Sequence, residues 1–213
     1  MEFKTCKKNR RHPYFLYNYN KRKVPLKMEK KSGRLELIIG NMFSGKSTEL
    51  MRRINKEKSI DKKILVINYS LDNRYSTDSI STHDNVSIKC LKVSNLLDIS
   101  SSLLFNSDSI FIDEAQFFPD LYDFCIGLVD SCNKHVVVSG LDGDFNRNEF
   151  GSILKLIPIC DTVDKLSAYC KICNNSTVAP FTIKIDNHTD LIDIGSSEKY
   201  MSVCRYHYKE NCF

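Results

Sequence analysis

The stretch Gly40-Asn41-Met42-Phe43-Ser44-Gly45-Lys46-Ser47-Thr48 constrains this 213-residue chain more than any other part of it. It fits G-x-x-x-x-G-K-[ST]. The apolar run Leu35-Glu36-Leu37-Ile38-Ile39 precedes it and the helix-like Glu49-Leu50-Met51-Arg52-Arg53-Ile54 comes after it. Strand, glycine turn and helix thus come in the order of a phosphate-binding loop. Backbone N–H groups facing a helix N-terminus form a concave anion site, and glycine lets the backbone approach the phosphates closely. The pattern makes residues 40–48 candidates for binding the phosphates of ATP, with Lys46 reaching the β- and γ-phosphates and the Ser47 hydroxyl serving Mg²⁺. The plain alternative is a glycine loop that only turns the chain.

Beyond the loop, the chain repeats the same alternation. Lys63-Ile64-Leu65-Val66-Ile67-Asn68 reads as a buried strand, residues 69–85 as a long polar loop, and Val86-Ser87-Ile88-Lys89-Cys90-Leu91 as an alternating strand. Leu96, Leu97, Leu103 and Leu104 suggest a helix to about Asn106, and Ser109-Ile110-Phe111-Ile112 is the next strand. Pro119 opens a helical pattern through Leu121, Phe124, Cys125, Leu128 and Val129, and His135-Val136-Val137-Val138-Ser139 is a further strand. This predicts an α/β fold: a largely parallel sheet with flanking helices and with ligands at the strands' C-terminal ends. A loop over residues 141–151 leaves one such end. From Thr162 onward the chain turns to Thr, Asn, Asp and short β-like pieces, which suggests a second, small subdomain. The expected division is residues 1–33 as an extension, 34–160 as the P-loop domain and 161–213 as the subdomain.

The net charge of +5 hints at nucleic acid until it is divided along the chain. Eleven of the 31 Lys/Arg and only two of the 26 Asp/Glu fall in residues 1–33, leaving 20 basic against 24 acidic residues beyond them. The basicity therefore belongs to the N-terminal extension, read as a solvated, poorly ordered tail; nucleic-acid binding or a targeting role would involve that tail alone. With no apolar run of 18 residues and no apolar stretch after the early basic residues, the reading is a soluble, cytoplasmic protein with no membrane partner.

Nine cysteines in such a chain favour metal binding over a disulfide framework. Most stand singly, but Cys170-x-x-Cys173 and Cys204-x-x-His207 are paired and lie 30 residues apart. Three thiolates and an imidazole suit a closed, structural zinc site that pins both ends of a segment too polar to build a core. A redox CxxC is the alternative, and it leaves the second pair unexplained.

Asp113 and Glu114 end the strand Ser109–Ile112, at the sheet edge where the phosphates should lie. An aspartate there helps hold Mg²⁺ in P-loop enzymes, and a glutamate next to it can polarise a nucleophile.

Asp113-Glu114-Ala115-Gln116-Phe117-Phe118, taken with the loop at 40–48, resembles the type II thymidine kinase family of cells, poxviruses and other large DNA viruses. In family order come Asp72-x-Arg74-Tyr75, Thr82-His83-Asp84, Leu141-Asp142-Gly143-x-Phe145, Phe150-Gly151, Lys165-Leu166-x-Ala168-x-Cys170-x-x-Cys173 and Lys199-Tyr200-x-Ser202-Val203-Cys204-Arg205. The resemblance spans about residues 34–208. It implies a RecA-like P-loop sheet with a zinc-braced lasso, transfer of the γ-phosphate of ATP to the 5′-hydroxyl of thymidine, a homotetramer, and inhibition by dTTP. It further implies Glu114 as general base and Lys46 and Arg74 as neutralising charge. Ser47, Asp113 and Asp72 would serve Mg²⁺. Met42, Phe117, Leu141, Phe145, Phe150, Thr182, Leu191, Ile194, Gly195 and Tyr200 would lie around the nucleoside, its base held mostly by lasso main chain. Asn41 replaces the family's usual proline and His207 a frequent fourth cysteine. A P-loop ATPase or nucleotide switch whose zinc module binds nucleic acid or protein is the rival reading.

Overall fold

Strand β1 (Arg34–Gly40) is buried from Leu35 onward and is hydrogen-bonded on both sides to parallel neighbours. That position favours a strand mostly apolar on both faces, and the strand's one buried charge, Glu36, is paired with Arg34, Arg53 and His135. Its side chains alternate accordingly: Leu35, Leu37 and Ile39 enter one core cluster and Ile38 the other. The computed structural model that shows this describes residues 32–70, 79–81, 87–185 and 199–211.

Helix α1 (Lys46–Lys58) begins at Gly45 and buries Leu50, Met51 and Ile54 against Ile38, Val66, Phe111 and Val137 of the sheet. Each such side chain contributes about 1.5–3 kcal/mol by leaving water. Strand β2 (Ile64–Tyr69) comes next, then β3 (Ser79–Ser81), β4 (Ser87–Lys89) and β5 (Leu91–Val93). The run expected as one strand over 86–91 is divided at Cys90: β4 pairs antiparallel with β3, whereas β5 joins β2 at the sheet edge. The helix expected over 96–106 is divided as well. A 3₁₀ turn at Leu96–Asp98 buries Leu96, and a separate helix α2 (Ser101–Asn106) buries Leu104. Extended Ile99 and Ser100 part them because Ile99 is drawn into the core.

Strand β6 (Ser109–Ile112) is wholly buried. Helix α3 (Leu121–Ile126) widens into a π turn at Gly127–Ser131 and leads to β7 (His135–Leu141). A 3₁₀ segment, Ile153–Ile159, covers β1 before β8 (Thr162–Leu166) pairs parallel with β1. The six strands run in the order β5-β2-β6-β7-β1-β8, and every pairing is parallel. Thr162–Leu166 is therefore the sheet's outer strand, although its composition resembles that of the residues after it.

Beyond the sheet, β9 (Ala168–Tyr169) pairs with β10 (Val178–Ala179), and β11 (Phe181–Lys184) pairs with β12 (Tyr200–Val203), both antiparallel. Helix α4 (Arg205–Asn211) closes this region. Its small core joins Ala168, Cys170, Ala179, Val203, Cys204 and Tyr208, with Phe43 from the glycine loop packed against it. All described residues lie in one compact unit, Lys31–Phe213, and no described helix is long and apolar enough to cross a membrane.

Candidate active site

The glycine loop sits between β1 and α1 and touches a third element. Gly40 ends β1 so close to β8 that a Cβ there would lie 2.3 Å from the Leu166 carbonyl oxygen. Gly45 caps α1 at φ 85, in the left-handed region that glycine occupies without steric cost. The Lys46 ammonium lies across the loop and donates to the Asn41 carbonyl at 2.7 Å, and the Ser44 hydroxyl donates to the same oxygen at 2.8 Å. Two further bonds tie the loop to β11: Asn41 Nδ2 donates to the Phe181 carbonyl at 3.2 Å, and the Met42 N–H donates to Thr182 Oγ1 at 3.1 Å. Asn41 is buried, and its Oδ1 has no partner among the described residues.

Asp113 and Glu114 leave β6 at the same sheet edge. The Asp113 N–H continues the ladder to the Ile67 carbonyl at 2.9 Å, and its Oδ1 accepts the Glu114 N–H at 3.0 Å. Burial first, and then the charge of Glu114, push the Asp113 carboxyl up to about 6; the nearby hydroxyls of Ser139 and Ser47 and the Glu114 amide work the other way. The Ser47 contact brings the glycine loop and the acidic pair into one cleft. Strand β7 lies between β6 and β1, and Ser139 comes from it. Glu114 adopts φ 51, ψ 40, and its Oε2 accepts Gln116 Nε2 at 2.7 Å.

The expected nucleoside-contacting residues are gathered from several elements. Phe117 stacks on Tyr69 at 5.2 Å and meets Phe150 edge-on at 5.4 Å. The Leu141 N–H, at the end of β7, donates to Gln116 Oε1 at 2.9 Å. Phe145 gives its carbonyl to the Tyr208 hydroxyl at 2.8 Å, and Lys184 Nζ lies 5.7 Å from the Phe145 ring and 6.0 Å from that of Tyr200. Arg147, 4.3 Å from the Tyr208 ring, further fastens the 141–151 loop to α4. Met42 is half-buried beside Thr182, which is buried like Tyr200. Thr48 is exposed on the first turn of α1. Asp72, Arg74, Leu191, Ile194 and Gly195 lie outside the described residues.

Sequence reasoning passed over Gln116, Tyr69 and Tyr208. Gln116 carried a usable signal, since a polar residue between Ala115 and Phe117-Phe118 in a buried turn needs partners. Tyr69 and Tyr208 owe their contacts to tertiary packing and carried none.

Cys170, Cys173, Cys204 and His207 present four ligand atoms within 4.8 Å of one another. Cys173 and Cys204 sulfurs are 3.9 Å apart, and His207 Nδ1 lies 3.4–3.5 Å from all three sulfurs. A tetrahedron with Zn–S of about 2.3 Å and Zn–N of about 2.0 Å puts sulfurs about 3.8 Å apart and sulfur and nitrogen about 3.5 Å apart. The donor set and the spacing both fit zinc. Burial disfavours the Cys170 thiolate, but the backbone amides of Cys173 and Cys204, with His207, bring its pKa down to about 6.

A wholly parallel sheet whose first strand feeds a glycine loop, with the loop's serine against a strand-end aspartate, defines a P-loop nucleotide-binding α/β protein. The sequence model of the thymidine kinase family matches residues 33–208, and this chain belongs to that family. It is 42% identical over 184 residues to thymidine kinase a of Arabidopsis thaliana, covering 84% of this chain and 76% of that one. It is 44% identical over 181 residues to the thymidine kinase of Yaba monkey tumor virus, covering 85% and 97%. With the cytosolic thymidine kinase of Homo sapiens it shares 40% over 202 residues, covering 89% and 84%.

Proposed function

We propose that this chain transfers the γ-phosphoryl group of ATP to the 5′-hydroxyl of thymidine, giving dTMP and ADP. Family membership supports the substrate pair, and the observation that carries the chemistry is the closeness of Ser47, on the glycine loop's helix, to the buried Asp113 carboxyl next to Glu114. The loop N–H groups of residues 40–48 hold the phosphates, and Lys46 leaves the Asn41 carbonyl to neutralise them. Ser47 and Asp113 hold Mg²⁺, joined by Asp72; the ion supplies charge neutralisation along the phosphates. Glu114 takes the hydroxyl proton, and Arg74 adds positive charge at the transferring group.

The pyrimidine lies among Met42, Phe117, Leu141, Phe145, Phe150, Thr182 and Tyr200, and Leu191, Ile194 and Gly195 contribute to binding it in the lasso that the family likeness implies. Aromatic and apolar faces grip the ring while backbone groups orient it. Zinc on Cys170, Cys173, Cys204 and His207 would brace that lasso; we place the small subdomain at 167–213 and not at the expected 161–213, because Thr162–Leu166 pairs with β1 and belongs with the P-loop domain. By the same family likeness the protein works in the cytoplasm as a homotetramer inhibited by dTTP.

The test is a panel of nucleosides assayed with ATP and Mg²⁺ for 5′-phosphorylation. Thymidine-dependent formation of ADP and dTMP is the expected result. ATP hydrolysis indifferent to nucleosides and stimulated by a macromolecule would support the switch reading instead.

A further inference from the structure

Gln116 is 3% exposed, and its side chain reaches in two directions. Oε1 accepts the Leu141 N–H at 2.9 Å, and Nε2 donates to Glu114 Oε2 at 2.7 Å. A backbone N–H can only donate, so Leu141 dictates which end of the amide is oxygen, and the NH₂ group must face Glu114. Two glycines make room for this arrangement. A Cβ on Gly140 would lie 2.6 Å from Gln116 Oε1, and one on Gly151, itself at φ 66, would lie 2.1 Å from the Gln116 carbonyl oxygen. Glu114 stands in the left-handed region, a conformation that a non-glycine residue keeps only where its surroundings over-determine it.

We propose that Gln116 is a positioning residue for phosphoryl transfer, its amide holding the Glu114 carboxylate in the geometry that receives the substrate proton. This rests on the reading of Glu114 as general base. Because Nε2 only donates, Glu114 Oε2 is kept as an acceptor; a proton there would set two donors against each other. The proton of the 5′-hydroxyl is therefore taken on Oε1. In that step the sugar O–H bond breaks, and the oxygen's electron pair forms the bond to the γ-phosphorus. The bond from that phosphorus to the bridging oxygen then breaks, its electrons leaving on ADP. The same amide is anchored at Leu141, where the loop bearing Phe145 and Phe150 leaves β7, so base and nucleoside pocket share one reference point.

The experiment measures thymidine phosphorylation by the full chain for wild type, Gln116→Met, Glu114→Gln and the double variant, with melting curves for each. Misplacing a reacting group by about 1 Å can cost about 10²-fold in rate. Gln116→Met is expected to lower kcat by about that factor with thymidine KM within about 3-fold of wild type. In the Glu114→Gln background the same change should cost less than about 3-fold, because the carboxylate it positions is gone. Wild-type kcat in Gln116→Met, or an equal loss in both backgrounds, would overturn the proposal. Should Gln116→Met fail to fold, Gln116→Glu replaces it; it keeps an acceptor for Leu141, removes the donor to Glu114, and is judged by the same criteria. Near-full activity in Glu114→Gln alone would instead defeat the general-base reading, and the positioning role with it.

Discussion

The Ser47 hydroxyl lies near enough to the Asp113 carboxylate to favour its charged form, bringing the first turn of α1 to the end of β6 across the intervening strand β7. Asp113 is buried beside Glu114, which pushes its carboxyl up from 3.8 to about 6. A raised folded-state pKa means that the native state binds the proton more tightly than the unfolded chain. Stability contributed by this group is thus full below pH 3.8 and is lost as pH rises toward 6. Asp113→Asn should stabilise the nucleotide-free protein by about 1–3 kcal/mol at pH 7, a gain that fades toward pH 4, while abolishing kinase activity. Denaturant titrations at the two pH values check the sign.

Strand β11 meets both halves of the site, through Asn41 and Met42 of the loop and through β12, which leads into Cys204. Removing the metal should therefore loosen the nucleoside side first. Mild chelation is expected to raise thymidine KM about ten-fold or more, with a smaller change in ATP KM, and to expose the 168–208 region to proteases before global unfolding. Unchanged kinetics in metal-free protein would show that zinc plays no part in shaping the nucleoside site.

Among the described residues, the Asn41 side chain makes one hydrogen bond and leaves one buried acceptor unmet. Those two effects offset, since a bond is worth about 1 kcal/mol and an orphaned acceptor costs about 1–3 kcal/mol. Asn41→Ala should shift stability by less than about 1 kcal/mol. Asn41→Asp places a carboxylate against the Phe181 carbonyl with no donor between them, and should weaken both fold and ATP binding by about ten-fold or more. Melting curves and calorimetric ATP titrations separate the two variants.

At the opposite end of β1, Glu36 meets Arg53 at 2.7 Å, Arg34 at 2.9 Å and His135 at 3.1 Å. Its pKa is held down to about 2, chiefly by the His135 hydrogen bond against the effect of burial, with the charges of His135, Arg34 and Arg53 adding to it. A depressed carboxylate contributes stability above its ordinary 4.5 that is lost as pH falls toward 2. Glu36→Gln should cost about 1–2 kcal/mol at pH 7, the gap closing as pH drops through that window, with kcat unchanged. Stability curves for both proteins between pH 2 and 7 measure this directly.

The centre of the sheet was legible because β6 and β7 carry continuous apolar runs and β1 is interrupted only by Glu36 between Leu35 and Ile39, and the glycine loop because its residue types are dictated by phosphate chemistry. Where the chain lies at an edge the signal weakened. Val163 and Lys165 of β8 are exposed, so no buried run marks it, and the break at Cys90 depends on which neighbour each half pairs with. The metal quartet could be read from spacing alone. That β11 fastens to the glycine loop could not, because Asn41 and Phe181 are 140 residues apart and only packing brings them together.

The central claim is that the glycine loop and the Glu114 carboxylate act on one sugar hydroxyl. Glu114→Gln measured by single-turnover phosphoryl transfer, beside calorimetric thymidine binding, tests it most directly. Thymidine affinity within about 3-fold of wild type and a transfer rate lowered by about 10²–10⁴-fold is the expected result. Transfer within ten-fold of wild type, or loss of transfer matched by equal loss of binding, would contradict it.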